Sequence, residues 1–295
     1  MLYGLYVTLI SGVTYGLVIS LLAVGLSLIF GVMGTVNIAH GSFYMMGGFL
    51  FFVGSSLLLL PVAMAFVFTL IASFVFGVIV LLLLIPRRIR VTNDPQEGNK
   101  VMMIFLGFAT IAEYVVFLLF GGQTLSVPSL LNGVMAIPGG IYVRNQELLA
   151  ALISLAFYAF LLLTLKYTKI GMGIRAYSQN KEIADALGID GARLALIVFG
   201  IGAMMAAAAG SLLASVYSID STSGWNELIT AFIIVIFGGI GSVPGSLIGG
   251  LLYGIIYSFF LYYYPSYAFA AVLLMIYFII IFRPSGLLGE HVERT

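Results

Sequence analysis

Cysteine is absent from all 295 residues, which excludes disulfides, thiol catalysis and cysteine-ligated metals. Charge is nearly as scarce. Only 8% of the chain is Asp, Glu, Lys or Arg, against roughly a quarter in a soluble domain, so it has no means of covering a water-facing surface. The little charge present almost cancels, at net +1, leaving no electrostatic case for nucleic acid or for a polybasic lipid-binding patch. The two histidines, His40 and His291, stand far apart without a ligand cluster, so no metal site is expected. The N-terminus lacks the basic start of a cleavable signal. The chain also lacks the phosphate-binding loop G-x-x-x-x-G-K followed by Ser or Thr, so it is not expected to cradle nucleotide phosphates itself.

Hydrophobicity is what the chain has in abundance: 62% apolar residues and a mean hydropathy of +1.19. Apolar runs cover about 3–30, 35–60, 61–86, 101–121, 147–166, 194–217, 225–243, 246–264 and 267–282. At about 20 residues per crossing these make eight or nine spans. The second and seventh are glycine-rich and interrupted by polar residues. The runs are continuous, not alternating, which disfavours a β-barrel. The expected fold is an all-α polytopic transmembrane bundle, one domain over 1–295, with broken helices.

Basic residues give the orientation. None precedes Arg87; they then cluster at Arg87, Arg88, Arg90 and Lys100, and at Lys166, Lys169, Arg175, Lys181 and Arg193, with Arg283 and Arg294 near the end. Two spans separate the clusters, so both fall on one side, and the positive-inside rule makes it cytoplasmic. The C-terminus is then expected in the cytoplasm and the N-terminus outside, if 35–60 crosses fully. Arg144, with Glu147 nearby, falls on the opposite side.

An internal repeat is legible. Phe30–Val36 reads F-G-x-x-G-T-V and Phe237–Val243 reads F-G-x-x-G-S-V, each followed by Gly-Ser and Gly-Gly pairs. Gly-interrupted segments at matching places in two halves point to a transporter's solute path; glycine-rich packing faces are the plainer explanation.

Candidate pathway residues follow. Asn37, His40 and Ser42 lie between apolar runs beside three glycines, where membrane-depth polar groups need protein or a water-filled cavity. Asn37 and His40 would share a helical face, and a helix break there would offer N–H groups to a carboxylate; the plainer reading is interhelical hydrogen bonding. Gly241 and Ser242 join them from the second motif. Glu113 is an acid in mid-span, which should face the interior with a hydroxyl or amide partner. Proton coupling is the sharp reading; a buried packing residue is the plainer one. Glu227 beside Trp225 reads as an interfacial anchor.

The connection of about 167–193 holds many of the few charges. Ser178 or Asn180 would cap a short helix through Leu187, with Glu182 in its first turn, Gly188 as its stop, and Ile183, Ala184 and Leu187 on one side. A short amphipathic helix of this kind suits docking to a partner, or lying flat on the membrane.

At these regions the sequence resembles the permease subunits of branched-chain amino acid ABC importers, the Liv type. The resemblance is carried by Leu22–Gly34 leading into Val36-Asn37-Ile38-Ala39-His40-Gly41, by Gly173-Ile174-Arg175-Ala176 through Ile189, by Phe237–Gly245, and by Phe282-Arg283-Pro284-Ser285-Gly286-Leu287. It implies a multi-pass inner-membrane permease working by alternating access. It also implies a homologous second permease chain, two cytoplasmic ATPase subunits that bind the ATP, and an extracytoplasmic solute-binding protein. The chain would then be no enzyme and hold no cofactor of its own. Residues 178–189 would transmit ATPase closure, with Arg175, Gln179, Asn180, Glu182, Asp185 and Gly188 as the coupling set. The alternatives are an ion- or proton-coupled secondary transporter using His40 and Glu113, a related permease for urea or short amides, and a channel, which the scarcity of pore-lining charge disfavours.

Overall fold

The computed structural model describes residues 2–92, 94–137 and 141–289; His291 and Arg294 lie outside them. Its first helix, α1 (Leu2–Met33), carries no charge and is almost wholly buried from Gly16 to Ile29. Its glycines explain how it becomes the bundle's axis. Gly12 and Gly16 receive the backbones of Gly250, Leu251, Gly254 and Ile255 on α10 (Val243–Tyr263), running antiparallel. Small residues let membrane helices approach this closely, and the resulting van der Waals packing substitutes for a hydrophobic force that lipid does not supply. A second antiparallel partner, α8 (Gly191–Tyr217), meets α1 at Gly25 with Gly202 and at Tyr15 with Tyr217.

Around this centre stand α3 (Val62–Leu84), α4 (Pro95–Phe120), α5 (Asn145–Tyr167) and α11 (Ala268–Phe282), all mostly exposed and apolar on their outer faces. Among the described residues seven helical segments are long and apolar enough to cross a membrane singly; the other two of the nine runs pass between the ends of the bundle as a link and a short helix. The two that fall short are the glycine-rich runs. Residues 35–60 give α2 (His40–Phe52) continued by one π-helical turn, Val53–Leu57. Residues 225–243 give α9 (Ser223–Gly238). Each follows a full-length helix through a short non-helical link, 34–39 or 218–222.

That arrangement is the repeat seen in the fold: long helix, link, short helix. α1 and α8 run in opposite directions, so the two units are inverted. The seven-residue motifs occupy other positions. The first ends full-length α1 and the second ends short α9, so they are not equivalent elements. What they share is a left-handed glycine just past a helix end, Gly34 (φ 72°) after α1 and Gly241 (φ 82°) after α9, whose own cap is Gly239 (φ 106°), a backbone state that costs glycine little.

One end of the bundle collects the basic residues. Arg87 pairs with Asp190 at 2.7 Å, Lys181 reaches the end of α1, and Lys166 and Arg175 share a cavity with Lys181. The C-terminal tail closes onto the same end, with Leu287 N donating to Phe237 O at 2.9 Å. Arg144 stands at the opposite end, on a hairpin of Val134–Ile137 with Ile141–Arg144 that the apolar runs did not foreshadow. It pairs there with Glu147 at 2.7 Å. The start of α1 also lies at that end, where Gly4 meets Tyr262 and Tyr263 of α10.

Candidate functional site

The two short helices begin inside the bundle, and their N-termini meet. A Cβ on Gly224 would come within 2.8 Å of Gly41 O; only glycine at both positions permits that approach. Neither N-terminus carries a side-chain cap: Ala39 precedes α2 and Thr222 precedes α9 without such a bond. By contrast Asp94, Asp190 and Ser242 cap α4, α8 and α10. Two positive dipole ends therefore lie side by side in the protein interior, with the carboxylate of Asp220 at that of α9, accepting from Thr222 N at 2.8 Å.

His40, fully buried, lies with Nε2 2.9 Å from Leu22 O in the middle of α1. A carbonyl only accepts, so Nε2 carries the proton; Nδ1 is buried without a partner. Interhelical bonding thus accounts for one side of the ring. Asn37 lies in the link 34–39, not on a helix with His40, so the two do not share a helical face. It is 1% exposed, and neither atom of its amide has a partner.

Ser42 and Glu113 come together at the helix junction, lining a space of about 10 Å³ with Gly41, Ser221, Gly224 and Trp225. A volume of that order holds about one water, so the junction is shut. Glu113 accepts a 2.5 Å bond from Trp225 Nε1. The partner of the mid-span acid is therefore an indole, where a hydroxyl or amide was expected. Hydropathy along α4 contains no information about which residue of α9 will face it.

Gly241 and Ser242 are elsewhere. They line a cavity of about 1230 Å³ at the basic end, together with Arg175, Gln179, Asn180, Lys181 and Glu182. Of the six candidate pathway residues, Ser42 and Glu113 thus line a closed interior junction, Gly241 and Ser242 line a cavity large enough for an amino acid, and Asn37 and His40 line neither.

The connection folds as two helices, α6 (Lys169–Gln179) and α7 (Lys181–Ala186). Asn180 caps the second, accepting from Ile183 N at 3.0 Å, and Gly188 follows at φ 82°. Ser178, the other candidate cap, lies in the last turn of α6 and donates to Arg175 O at 3.0 Å. Ala184 is buried, whereas Ile183 and Leu187 are exposed, so the three do not form one covered side. Asp185 accepts from Tyr177, whose phenol burial pushes up. Arg175 donates to Leu165 O.

Two residues were missed in the sequence. Lys181 donates to Met33 O at 3.2 Å and Thr92 O at 2.9 Å, and burial holds its ammonium below the usual lysine range. Glu227 is not an interfacial anchor. It turns inward among tyrosines, and its Oε2 is buried without a partner. Its spacing from Tyr253 and Tyr15 in sequence offers no signal. No cluster of three His, Cys, Asp or Glu occurs among the described residues.

The family described as the permease component of branched-chain amino acid transport systems matches residues 8–282. The high-affinity branched-chain amino acid transport permease LivH of Escherichia coli is 30% identical over 97% of this chain and 96% of its own length. LivH of Salmonella typhimurium is 29% identical over the same shares. BraD of Pseudomonas aeruginosa, which carries the same description, is 27% identical over 97% of each chain. No solved structure matches the chain significantly.

Proposed function

This chain belongs to the branched-chain amino acid transport permease family, and we propose that it is the membrane-spanning subunit of an ATP-driven importer for branched-chain or closely related amino acids. The observation that carries this reading is the match across nearly the whole chain, 8–282, on a bundle with seven membrane-length helices. The basic end faces the cytoplasm by the positive-inside rule, which places the N-terminus outside and the C-terminus inside. A solute-binding protein delivers amino acid at the outer face. A homologous second permease completes the path, and two ATPase subunits, which bind the ATP, dock on α6 and α7.

Alternating access is supported by the asymmetry of the two spaces. The interior junction at Gly41 and Gly224 is shut, while the cavity lined by Ser242 and Arg175 is roomy at the basic end. This is the arrangement of an inward-facing resting state. Arg175 and Glu182 on its rim belong to the connection, so movement of α6 and α7 changes the mouth of the cavity directly. No covalent chemistry takes place in this chain.

The test is purification of the full chain with whatever accompanies it, followed by ATPase assay in lipid with and without Arg175→Ala plus Glu182→Ala. Co-purified ATPase subunits whose activity is uncoupled from solute by the double change are the expected result. A chain that purifies alone and moves leucine under a pH or sodium gradient would overturn the reading in favour of a secondary transporter.

A further inference from the structure

Glu227 lies where five helices converge. It is within electrostatic reach of Tyr15 on α1, Tyr44 on α2, Tyr217 on α8, and Tyr253 and Tyr257 on α10. The rings form a continuous surface. Tyr253 and Tyr257 stack at 5.7 Å, and Tyr15 meets Tyr257 at 5.9 Å and Tyr217 at 6.0 Å. The three ion pairs among the described residues are Arg87 with Asp190, Arg193 with Asp190 and Arg144 with Glu147; none involves Glu227.

A carboxylate with a buried, unpartnered oxygen is unfavourable unless something pairs with it. Among the described residues no lysine or arginine does. The surrounding tyrosines supply hydroxyl oxygens and electron-rich rings, both of which attract cations, ammonium groups in particular. Carboxylate and rings together reject an anion and gain little from a neutral group. We propose that Glu227 and its tyrosine cage form a subsite for the ammonium group of an amino acid, an inference that rests on the importer reading above. Tyr217, 58% exposed, ends α8 at the face opposite the basic one and carries the cage to the surface there. The ammonium therefore enters first, from the side of delivery, and the solute's carboxylate points away from Glu227.

Trp225 is the chain's one tryptophan, two residues from Glu227, and serves as reporter. The full chain in lipid nanodiscs is titrated with L-leucine, with leucinol (ammonium without carboxylate) and with 4-methylpentanoate (carboxylate without ammonium). Leucine and leucinol should change Trp225 emission saturably and 4-methylpentanoate should not. Glu227→Gln should weaken the first two by about tenfold or more. Tyr257→Phe should stay within about threefold of wild type, because the ring remains, while Tyr257→Leu should not. Binding of 4-methylpentanoate as tight as that of leucinol, unchanged leucine affinity in Glu227→Gln, or no response of the wild type to leucine each overturns the subsite. ATP-driven leucine uptake by vesicles holding the assembled transporter is measured in parallel. If uptake persists while the subsite fails, the importer reading stands alone; if both fail, both fall.

Discussion

The ammonium of Lys181 donates to the carbonyl oxygen of Met33, 148 positions away in the chain, at 3.2 Å. Met33 is the last residue of α1, where the helix dipole is negative and a cation is favoured. The same ammonium binds Thr92 O at 2.9 Å, at the junction of α3 and α4. One side chain thus fastens α7 to the axial helix and to the outer wall. Lys181→Met should cost about 1–3 kcal/mol by leaving these carbonyls unpaired. Under the importer reading it should also lower solute-stimulated ATPase more than basal ATPase. Equal loss of both would place Lys181 in folding alone. Thermal melting and ATPase assay of the purified assembly separate the cases.

Gly41→Ala places a methyl 2.8 Å from Leu228 Cβ and closer still to Gly224 O. Overpacking of this kind costs about 1–3 kcal/mol, and here it forces the two half-helices apart. Gly107→Ala, where a Cβ meets nothing within 4 Å, is the matched control. Detergent melting should fall for the first and hold or rise slightly for the second, since alanine is the better helix former. Equal melting would mean the junction yields freely.

Glu113→Gln keeps an acceptor for Trp225 Nε1 and removes the charge. Since no second acid joins Glu113 at the junction, uptake should stay within about threefold of wild type, a cost under about 1 kcal/mol. Complete loss of uptake would instead mark Glu113 as a proton carrier and revive the secondary transporter.

Asp190 caps α8, accepting from Arg193 N at 3.1 Å, and pairs with both Arg87 and Arg193. Asp190→Asn keeps the cap and loses only half-exposed ion pairs, worth roughly 0.2–1 kcal/mol. Asp190→Ala loses the cap as well, about 1 kcal/mol more. Melting should rank wild type above Asn and Asn above Ala; an Asn variant as weak as the Ala one would show that charge, not capping, holds this end.

The sequence revealed the spans because lipid demands long apolar helices, and it revealed which two runs would be incomplete because glycine and polar residues interrupt them. The apolar run places the start of α4 about six residues late. The first turn of that helix is polar, and only the cap Asp94, bonded to Gln96 N at 2.9 Å, with Pro95 behind it, marks where the helix begins. Asn180 as a cap and Gly188 as a stop were legible, since both act within a few residues of themselves. Lys181 on Met33, Trp225 on Glu113 and Glu227 among tyrosines were not. Each depends on how one helix is rotated against another distant in the chain, and rotation is settled by packing of whole faces.

The glycine faces of α1 have a consequence for how the chain is made. Of the described helices α1 is synthesised first, yet the partners that fill its glycine notches begin only at residues 191 and 243. During translation α1 must wait in the bilayer as a lone, charge-free span, which lipid tolerates, with a small-residue stripe open to any passing helix. A substitution such as Gly16→Leu would therefore insert normally and fail only later in synthesis, when α10 arrives and finds no groove. Quality control that reads only membrane insertion would not detect it.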